Sequence, residues 1–397
     1  ASDVYKRQGE HMSERRKTRK RKRIEYVIGI GFLICVFGIG IINLLLPSKK
    51  ISEEENRGLQ QKPELSVSAV TSGSYMDQYE KYQADQFMGR NLWRSLKVGF
   101  SRLVGSKEEN GVFIGKKGQL LEDIAVPDQD VLKANMKAIQ SFSQKYSDIP
   151  VNMLLVPDAA NILSDRLPFT ATVANQSQYI AQVKKELGNI VQWIDAVKPL
   201  TRHSDEKIYY KTDHHWTAKG AYYVFQEAAR TLNLEEQETE YASYPITTDF
   251  NGSLASKSGC RLNEKEQIDI YVPKTEDNDV VVNYVDEQKK TASLYDSSKL
   301  DGRDKYAVYL GGNFSVVDIR TVSESNRRLL LIKDSYANSF VPFLTPYFRE
   351  IVMVDPRYYS GTIGDIMDTY EITDTLFLYS ANIFLQDNNI SGVLSSE

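Results

Sequence analysis

An uncharged, mostly apolar run of twenty residues, Val27–Leu46, allows few structures for the N-terminal part of this chain. As a helix rising about 1.5 Å per residue, the run would cross a hydrocarbon core of about 30 Å. Eight Lys and Arg residues lie within 15–23, whereas only two, at 49–50, follow the run closely. Cytoplasmic flanks carry the excess of basic residues. The sequence therefore predicts a basic cytoplasmic tail over 1–26, a single-pass transmembrane signal anchor over 27–46 and an extracellular remainder.

A cleaved signal peptide is the alternative interpretation of this run. However, the run is longer than the usual apolar core of a signal peptide, and Pro47-Ser48-Lys49-Lys50 follows it without a small-residue cleavage site. An uncleaved anchor in the cell membrane is therefore favoured. Residues 1–11 precede Met12, which resembles a natural start, and we expect them to be non-native.

Charge and cysteine content exclude several classes of protein. The net charge is −4, but residues 1–50 hold 12 basic and 4 acidic residues, which leaves 37 basic and 49 acidic residues beyond them. Such an acidic remainder argues against nucleic-acid binding. The two cysteines, Cys35 and Cys260, are too few for a disulfide scaffold or a cysteine-rich zinc module.

Beyond the anchor, the patterning indicates a linker followed by one domain. Residues 47–74 are rich in Ser, Glu and Gln and lack periodicity, which is typical of a linker. Apolar residues at helical spacing over 79–104 predict a helix. Gly115-Lys116-Lys117-Gly118 between two short apolar runs predicts a hairpin. We assign residues 75–397 to an extracellular domain.

Strand and helix patterns alternate through this domain. A helix predicted over 128–146 precedes the apolar strand Val151–Val156, and a second helix follows Thr217, a candidate N-cap. Further strands are predicted at 208–210, 329–332, 350–354 and 376–379. Together these elements predict an α/β fold with a mostly parallel sheet. Mixed apolar and charged stretches over about 240–325 indicate an inserted or peripheral region.

The first segment that carries chemistry is Asp213-His214-His215-Trp216, between a predicted strand and a predicted helix. Alternate residues of an extended segment share a face, so Asp213 and His215 can point the same way. A carboxylate beside an imidazole fixes its tautomer and stabilises its protonated form, as a general base requires. The alternative is an aromatic loop in which the aspartate caps the helix and the histidines are only packed.

The second segment is Lys333-Asp334-Ser335, where an apolar strand meets a predicted helix. Free backbone N–H groups and the positive end of the helix dipole converge at such a junction and could bind an oxyanion. The alternative is that Ser335 is an ordinary N-cap. A serine nucleophile needs a base, and of the extracellular histidines only His214 and His215 lie beside a carboxylate in a loop of this kind. The two segments therefore support each other.

A metal site is the rival use of Asp213, His214 and His215. Adjacent histidines of an extended strand cannot easily bind one ion, and no further cluster of His or Cys supplies other ligands. We therefore predict neither a metal nor a cofactor.

At these segments the chain resembles the DHHW family of Gram-positive extracellular proteins, which is related to the alginate O-acetyltransferase-like group of the SGNH-hydrolase superfamily. The resemblance covers most of residues 75–395. It is carried by Phe87-Met88-Gly89-Arg90, Ile114-Gly115-Lys116-Lys117-Gly118, Asp213-His214-His215-Trp216, Gly252-Ser253-Leu254-Ala255-Ser256-Lys257-Ser258-Gly259 and Lys333-Asp334-Ser335.

The resemblance implies an SGNH-hydrolase-like three-layer sandwich with permuted motif order and a catalytic triad of Ser335, His215 and Asp213. Lys333 stands where many superfamily members have glycine. Six further residues are candidates for oxyanion stabilisation or substrate contact: His214, Trp216, Asn313, Tyr336, Asn338 and Asn382.

The function implied by the resemblance is that of a membrane-anchored extracellular O-acyltransferase, most simply O-acetyl, which modifies a cell-surface or secreted polysaccharide through an acyl-serine. Because no acetyl-CoA is available outside the cell, the resemblance also implies a multispanning membrane acyltransferase as the source of the acyl group. Two alternatives stay open, namely an extracellular SGNH-type carbohydrate esterase (a deacetylase) and a noncatalytic carbohydrate-binding envelope scaffold.

Overall fold

The computed structural model describes residues 2–52, 57–234, 239–260, 265–275 and 277–395. The chain forms two compact units, which meet along the sequence between Arg94 and Ser95.

The N-terminal unit is dominated by one long helix, α1 (Ser2–Leu45). Its segment Lys20–Leu45 is long and apolar enough to cross a membrane and is not buried against protein. The helix also includes residues 2–11, which the sequence analysis takes to be non-native. Within the predicted linker the structure has short elements, while residues 53–56 of that linker lie outside the described part. The elements of this unit after α1 are β1 (Ile51–Ser52), β2 (Arg57–Gly58), α2 (Val67–Thr71), α3 (Ser74–Gln86) and the start of α4 (Arg90–Leu103).

The C-terminal unit is an α/β domain. Its strands are β3 (Glu108–Glu109), β4 (Val112–Ile114), β5 (Leu120–Glu122), β6 (Val151–Val156), β7 (Gln192–Trp193), β8 (Tyr241–Phe250), β9 (Glu266–Pro273), β10 (Val280–Tyr284), β11 (Lys289–Thr291), β12 (Val316–Thr321), β13 (Arg328–Lys333), β14 (Glu350–Val354) and β15 (Asp374–Ser380). Its helices after α4 are α5 (Gln129–Lys145), α6 (Ala159–Ile162), α7 (Gln176–Leu187), α8 (Val197–Arg202), α9 (Ala218–Thr231), α10 (Ser253–Ser258), α11 (Ile363–Tyr370), α12 (Ala381–Gln386) and α13 (Ile390–Ser395).

A mixed eight-stranded sheet forms the centre of this domain, in the order β11-β10-β12-β14-β13-β15-β6-β7. The five strands from β14 to β7 run parallel, and β12, β10 and β11 extend this block as an antiparallel edge. The α/β prediction is therefore confirmed, and the sheet is mixed. Part of the region 240–325 belongs to this sheet, whereas β8 and β9 form a separate two-stranded sheet.

Helices cover both faces of the sheet, because the strands alternate apolar side chains between two cores. Leu329 and Leu331 of β13 belong to the core that contains α9, whereas Leu330 and Ile332 belong to the core that contains α5, α7 and α11. The domain thus has three layers. The carboxyl ends of β14, β13, β15 and β6 lie along one edge of the sheet, where loops of α/β proteins carry functional residues.

Candidate active site

The segment Asp213–Trp216 lies in a tight loop rather than next to a strand. Instead of the strand predicted at 208–210, the structure has a single bridge between Tyr209 and Trp216. The loop leads directly into α9, whose first turn is capped by Thr217, with the Gly220 N–H donating to the Thr217 hydroxyl at 3.2 Å. The N-cap prediction is confirmed.

Neighbouring backbone and side chains hold this loop in place. The buried carboxylate of Glu266 accepts hydrogen bonds from the N–H groups of Lys211 and Thr212, both at 2.8 Å. The Ser253 N–H donates to Asp213 Oδ2 at 2.7 Å. Gly252 passes so close that a Cβ there would come within 2.3 Å of the Asp213 Cβ, so this approach requires glycine. The carboxylate of Asp213 is therefore fixed before any ligand binds.

Asp213, His215 and Ser335 form a continuous chain of hydrogen bonds. Asp213 Oδ1 lies 2.6 Å from His215 Nδ1, and His215 Nε2 lies 2.7 Å from Ser335 Oγ. An ionised carboxylate only accepts hydrogen bonds, so the proton is on Nδ1 and Nε2 accepts from the serine hydroxyl. All three side chains are buried or nearly so. This is the geometry of a base poised to activate a hydroxyl.

The environment sets the charge of each group. Burial opposes ionisation of Asp213, but His215, His214 and the Ser253 amide outweigh it and hold the pKa of that carboxyl well below its usual range. Burial, together with the nearby His214, lowers the pKa of His215 to about 4, although Asp213 acts in the opposite direction. At neutral pH the site therefore contains a carboxylate and a neutral imidazole.

Tyr306 covers the imidazole. Its ring stacks on that of His215 with centroids 3.7 Å apart and an interplanar angle of 11°. Its hydroxyl donates to Ser339 Oγ at 3.0 Å and to the Ser335 carbonyl at 3.3 Å. Tyr306 thus fixes the plane of the base and the backbone of the serine together. No local sequence pattern marks Tyr306, because its position depends on how a distant loop folds over the site.

The junction after β13 differs from its prediction. Ser335 begins a 3₁₀ turn, Ser335–Ser339, and a second turn follows at Val341–Phe343. The aligned dipole of a long helix is therefore not available at Ser335. Asp334 instead organises the junction, because its carboxylate accepts from the Tyr336 N–H at 2.9 Å and from the Ser380 N–H at 2.8 Å. The sequence alone did not predict this structural role of Asp334.

Asp213, His215 and Ser335 line a cleft with a volume of about 240 Å³. Of the further candidates, His214, Asn313 and Asn338 line it. Residues of its wall that sequence reasoning did not single out for the site are Phe250, Asn251, Ser253, Ser256, Arg303, Asp304, Tyr306 and Arg357. These residues come from three separate segments of the chain, 250–256, 303–306 and 357, so no local pattern marked them.

Three of the candidates for oxyanion stabilisation or substrate contact, Trp216, Tyr336 and Asn382, are not among the residues that line the cleft. Trp216 is fully buried, stacks on Phe340 and donates its indole N–H to the Tyr336 carbonyl at 3.1 Å. The Tyr336 ring is fully buried as well, and its hydroxyl donates to the His214 carbonyl. Asn382 is buried in another cluster, where its Nδ2 donates to the Asp123 carbonyl at 2.9 Å. The polar atoms of these buried side chains form hydrogen bonds within the protein, as buried polar groups generally do.

Asp213, His214 and His215 have potential metal-ligand atoms within 4.8 Å of one another. The hydrogen bonds to Asp213 and Ser335 already engage both ring nitrogens of His215. His214 Nδ1 lies 2.7 Å from Ser253 Oγ. Binding an ion here would require these bonds to break, so the arrangement fits proton transfer better than chelation.

Comparison with known proteins places this site in a family. The sequence profile described as DHHW protein matches residues 136–354, which is more than half of the chain. The chain belongs to the DHHW family. The resemblance noted from the sequence motifs is therefore confirmed. No curated protein matches the chain.

Two solved structures with TM-scores above 0.5 support the fold of this DHHW protein. A DHHW family protein of Eubacterium siraeum is 24% identical, with a TM-score of 0.62 over 73% of this chain and 98% of that one. PatB1 of Bacillus cereus, solved with a sulfonyl adduct, is 21% identical, with a TM-score of 0.58 over 70% of this chain and 96% of its own. The O-acetyltransferase domain of Pseudomonas putida AlgJ is 13% identical, with a TM-score of 0.46 over 72% and 99%.

Proposed function

We propose that this protein is a membrane-anchored O-acyltransferase that acylates a polysaccharide outside the cell through an acyl-serine intermediate. The observation that carries the proposal is the hydrogen-bonded chain from Asp213 through His215 to Ser335, with its two short distances of 2.6 and 2.7 Å. It ends at a cleft rather than in the core. A structural N-cap serine would not need a buried imidazole on its hydroxyl.

The groups present support a balanced two-step transfer. Ser335 Oγ attacks the carbonyl carbon of the acyl donor while His215 Nε2 takes the hydroxyl proton. The proton then passes to the leaving group as its bond to the acyl carbon breaks. In the second step His215 takes a proton from a sugar hydroxyl, which attacks the acyl-serine, and Ser335 leaves with that proton. Asp213 keeps the imidazole in the required tautomer in both steps. We propose that the catalytic motifs are permuted, as the resemblance implies, because the aspartate and the histidine precede the serine in the sequence.

Asn313 is our candidate for stabilising the oxyanion. Both Asn313 and Asn338 line the cleft, but Asn338 Nδ2 already donates to Asn313 Oδ1 at 3.0 Å and to the Gly312 carbonyl at 3.3 Å. Within the described residues, Asn313 Nδ2 has no hydrogen-bond partner. A side-chain amide donor aimed at the developing charge is a common way to stabilise it.

The cleft and the long helix suggest the substrate and the location. A volume of about 240 Å³ suits an acetyl group and part of a sugar ring better than a long acyl chain. The segment Lys20–Leu45 would anchor the protein, with the basic residues before it in the cytoplasm. A multispanning membrane acyltransferase would then deliver the acetyl group to the outside.

The proposal is tested by intact mass spectrometry of the full chain in detergent after a brief incubation with 4-nitrophenyl acetate. We expect one acetyl adduct, which is absent in Ser335→Ala and retained in Ser253→Ala, a matched change of another serine in the same cleft. Faster loss of the adduct with chitopentaose or cellopentaose than in buffer, with acetylated sugar as product, indicates a transferase. Loss to water alone favours the esterase, and a folded protein that forms no adduct favours the scaffold.

The pH dependence of acylation is a separate prediction. Because burial lowers the pKa of His215 to about 4, the neutral base is present above that pH and is lost as the pH falls through it. We expect the rate of adduct formation to be nearly constant from about pH 5 to 8 and to fall about tenfold per pH unit below 4. Stopped-flow release of 4-nitrophenol, with circular dichroism as a control for folding, measures this profile. A midpoint near 6.5 would contradict the burial of the base.

A further inference from the structure

Lys333 is a buried cation that the triad does not use. It is the last residue of β13 and lies two residues before Ser335, and its side chain is 2% exposed. Burying an ammonium group is costly unless it is paired and hydrogen-bonded. A buried lysine this close to the nucleophile therefore calls for a physical explanation.

The surroundings of Lys333 match its bonding capacity. An ammonium has three donors and no acceptor. Lys333 Nζ has three oxygen partners: Asn338 Oδ1 at 3.0 Å, Asn313 Oδ1 at 3.1 Å and Asp355 Oδ2 at 3.4 Å. Because the ammonium cannot accept, both asparagines must turn their amide oxygens toward it. The cation therefore determines the orientation of two amides that line the cleft.

Fixing the oxygens also fixes the amide nitrogens. Asn313 lies on an exposed loop, after Gly311 and Gly312, which have φ values of 76° and 125°. Without a partner for its oxygen, such a side chain would rotate among several rotamers. With its oxygen held by Lys333 and by Asn338, its Nδ2 is the atom left to face the cleft.

Asp355 completes this arrangement from the neighbouring strand. It follows β14 directly and is fully buried, and it accepts from Arg357 through Nε at 2.8 Å and Nη2 at 2.7 Å. Arg357 itself lines the cleft. Asp355 thus joins Lys333 to Arg357, and the ends of β13 and β14 are held together beside the nucleophile.

We propose that Lys333 is a positioning residue for the acyl-transfer step: its ammonium holds Asn313 so that the amide nitrogen of Asn313 meets the oxyanion formed on attack by Ser335. This inference rests on the function proposed above. Lys333 touches no reacting atom and acts only through Asn313. A purely structural Lys333 would stabilise the fold without any coupling to Asn313.

A double-mutant cycle on the full chain tests this role. The variants are Lys333→Met, Asn313→Ala and the double change, and the measured quantity is kcat/KM for acylation by 4-nitrophenyl acetate. We expect each single change to lower it by about 10²-fold to 10³-fold, mainly through kcat, since one oxyanion donor is lost in both. The double variant should lie within about threefold of Asn313→Ala, because the two residues act as one unit. The fall of the rate near pH 4 should persist in all of them.

A control removes a less buried cation of an ion pair that lies away from the cleft. Arg327 binds Asp374 at the opposite end of the parallel strands, and Arg327→Met should lower the unfolding temperature while leaving kcat/KM near the wild-type value. If Lys333→Met does not fold, the cycle is repeated with Lys333→Gln, whose amide has two N–H donors instead of three. We then expect a smaller loss, which should again be absent in the Asn313→Ala background.

The outcomes separate this inference from the proposed function. If the wild type forms no acetyl adduct at Ser335, the proposed function fails, and the inference fails with it. If the wild type is active but the losses from Lys333→Met and Asn313→Ala multiply, or Lys333→Met keeps the wild-type rate, only the inference is overturned.

Discussion

Replacing His215 with alanine is expected to slow acylation of the protein by about 10⁴-fold to 10⁶-fold, as in other serine triads. The imidazole is the only group within hydrogen-bond distance of Ser335 Oγ in the described structure that can accept its proton, at 2.7 Å from Nε2. Without it the hydroxyl must lose its proton to water. Pre-steady-state release of 4-nitrophenol, together with the mass of the acyl-enzyme, measures the loss.

Nonadditivity makes this prediction specific. Because the base and the nucleophile act as one unit, the double variant Ser335→Ala/His215→Ala should be no slower than either single variant. His203→Ala is the matched control, because His203 pairs with Glu206 at 2.6 Å and stacks on Tyr223 outside the cleft. It should keep nearly full activity. A His215→Ala protein that retains a tenth of the wild-type rate would show that another base serves Ser335.

The central strands could be predicted because burial on both faces leaves a continuous apolar run in the sequence. β6 has the predicted bounds, Val151–Val156, and β14 coincides with the predicted 350–354. The helix predicted from residue 128 begins after Asp128, whose carboxylate accepts N–H groups of the first turn. These features depend on local sequence, which is why the sequence alone specified them.

The edge of the sheet could not be predicted in the same way. β12 contains the buried Asp318 and ends in polar residues, so it lacks a continuous apolar run. Its place beside β14 depends on long-range pairing, in which Asp318 lies opposite Val352, 34 positions later in the chain. The strand predicted at 208–210 failed because its apolar residues pack around a loop instead of pairing in a ladder. In both cases tertiary contacts outweigh local preference.

The candidate site was predictable to the extent that chemistry limited the choices. The scarcity of histidines pointed to His214 or His215 as a partner of Ser335, and the resemblance to the DHHW family implied His215. The structure brings His215 and Ser335, 120 positions apart, into contact. Tyr306, Arg357 and the orientation of Asn313 by Lys333 were not predictable, because each depends on the meeting of segments from different strand ends. Trp216, which the motif emphasises, packs in the core instead of facing substrate.

Replacing Asp213 with asparagine is expected to lower kcat for acylation by about 10⁴-fold while leaving the fold intact. The carboxylate accepts from three donors: the Nδ1 and the backbone N–H of His215 at Oδ1, at 2.6 and 3.0 Å, and the Ser253 N–H at Oδ2, at 2.7 Å. An asparagine side chain has nearly the same shape as the aspartate, but an NH₂ donor replaces one of its two oxygen acceptors. If that group faces His215, the proton moves to Nε2 and the imidazole can no longer accept from Ser335.

Asp304→Asn is the matched control for this prediction, because it removes a carboxylate from the wall of the same cleft without touching the imidazole. It should change kcat far less than Asp213→Asn does. The unfolding temperature shows whether the Asp213→Asn protein keeps the loop in place. At least one of the three N–H donors to the Asp213 carboxylate loses its acceptor when an NH₂ group replaces an oxygen. The prediction is contradicted if the Asp213→Asn protein folds and keeps kcat within tenfold of the wild type while the His215→Ala protein is inactive. Asp213 would then be only a structural hydrogen-bond acceptor, and His215 would act as the base without an orienting carboxylate.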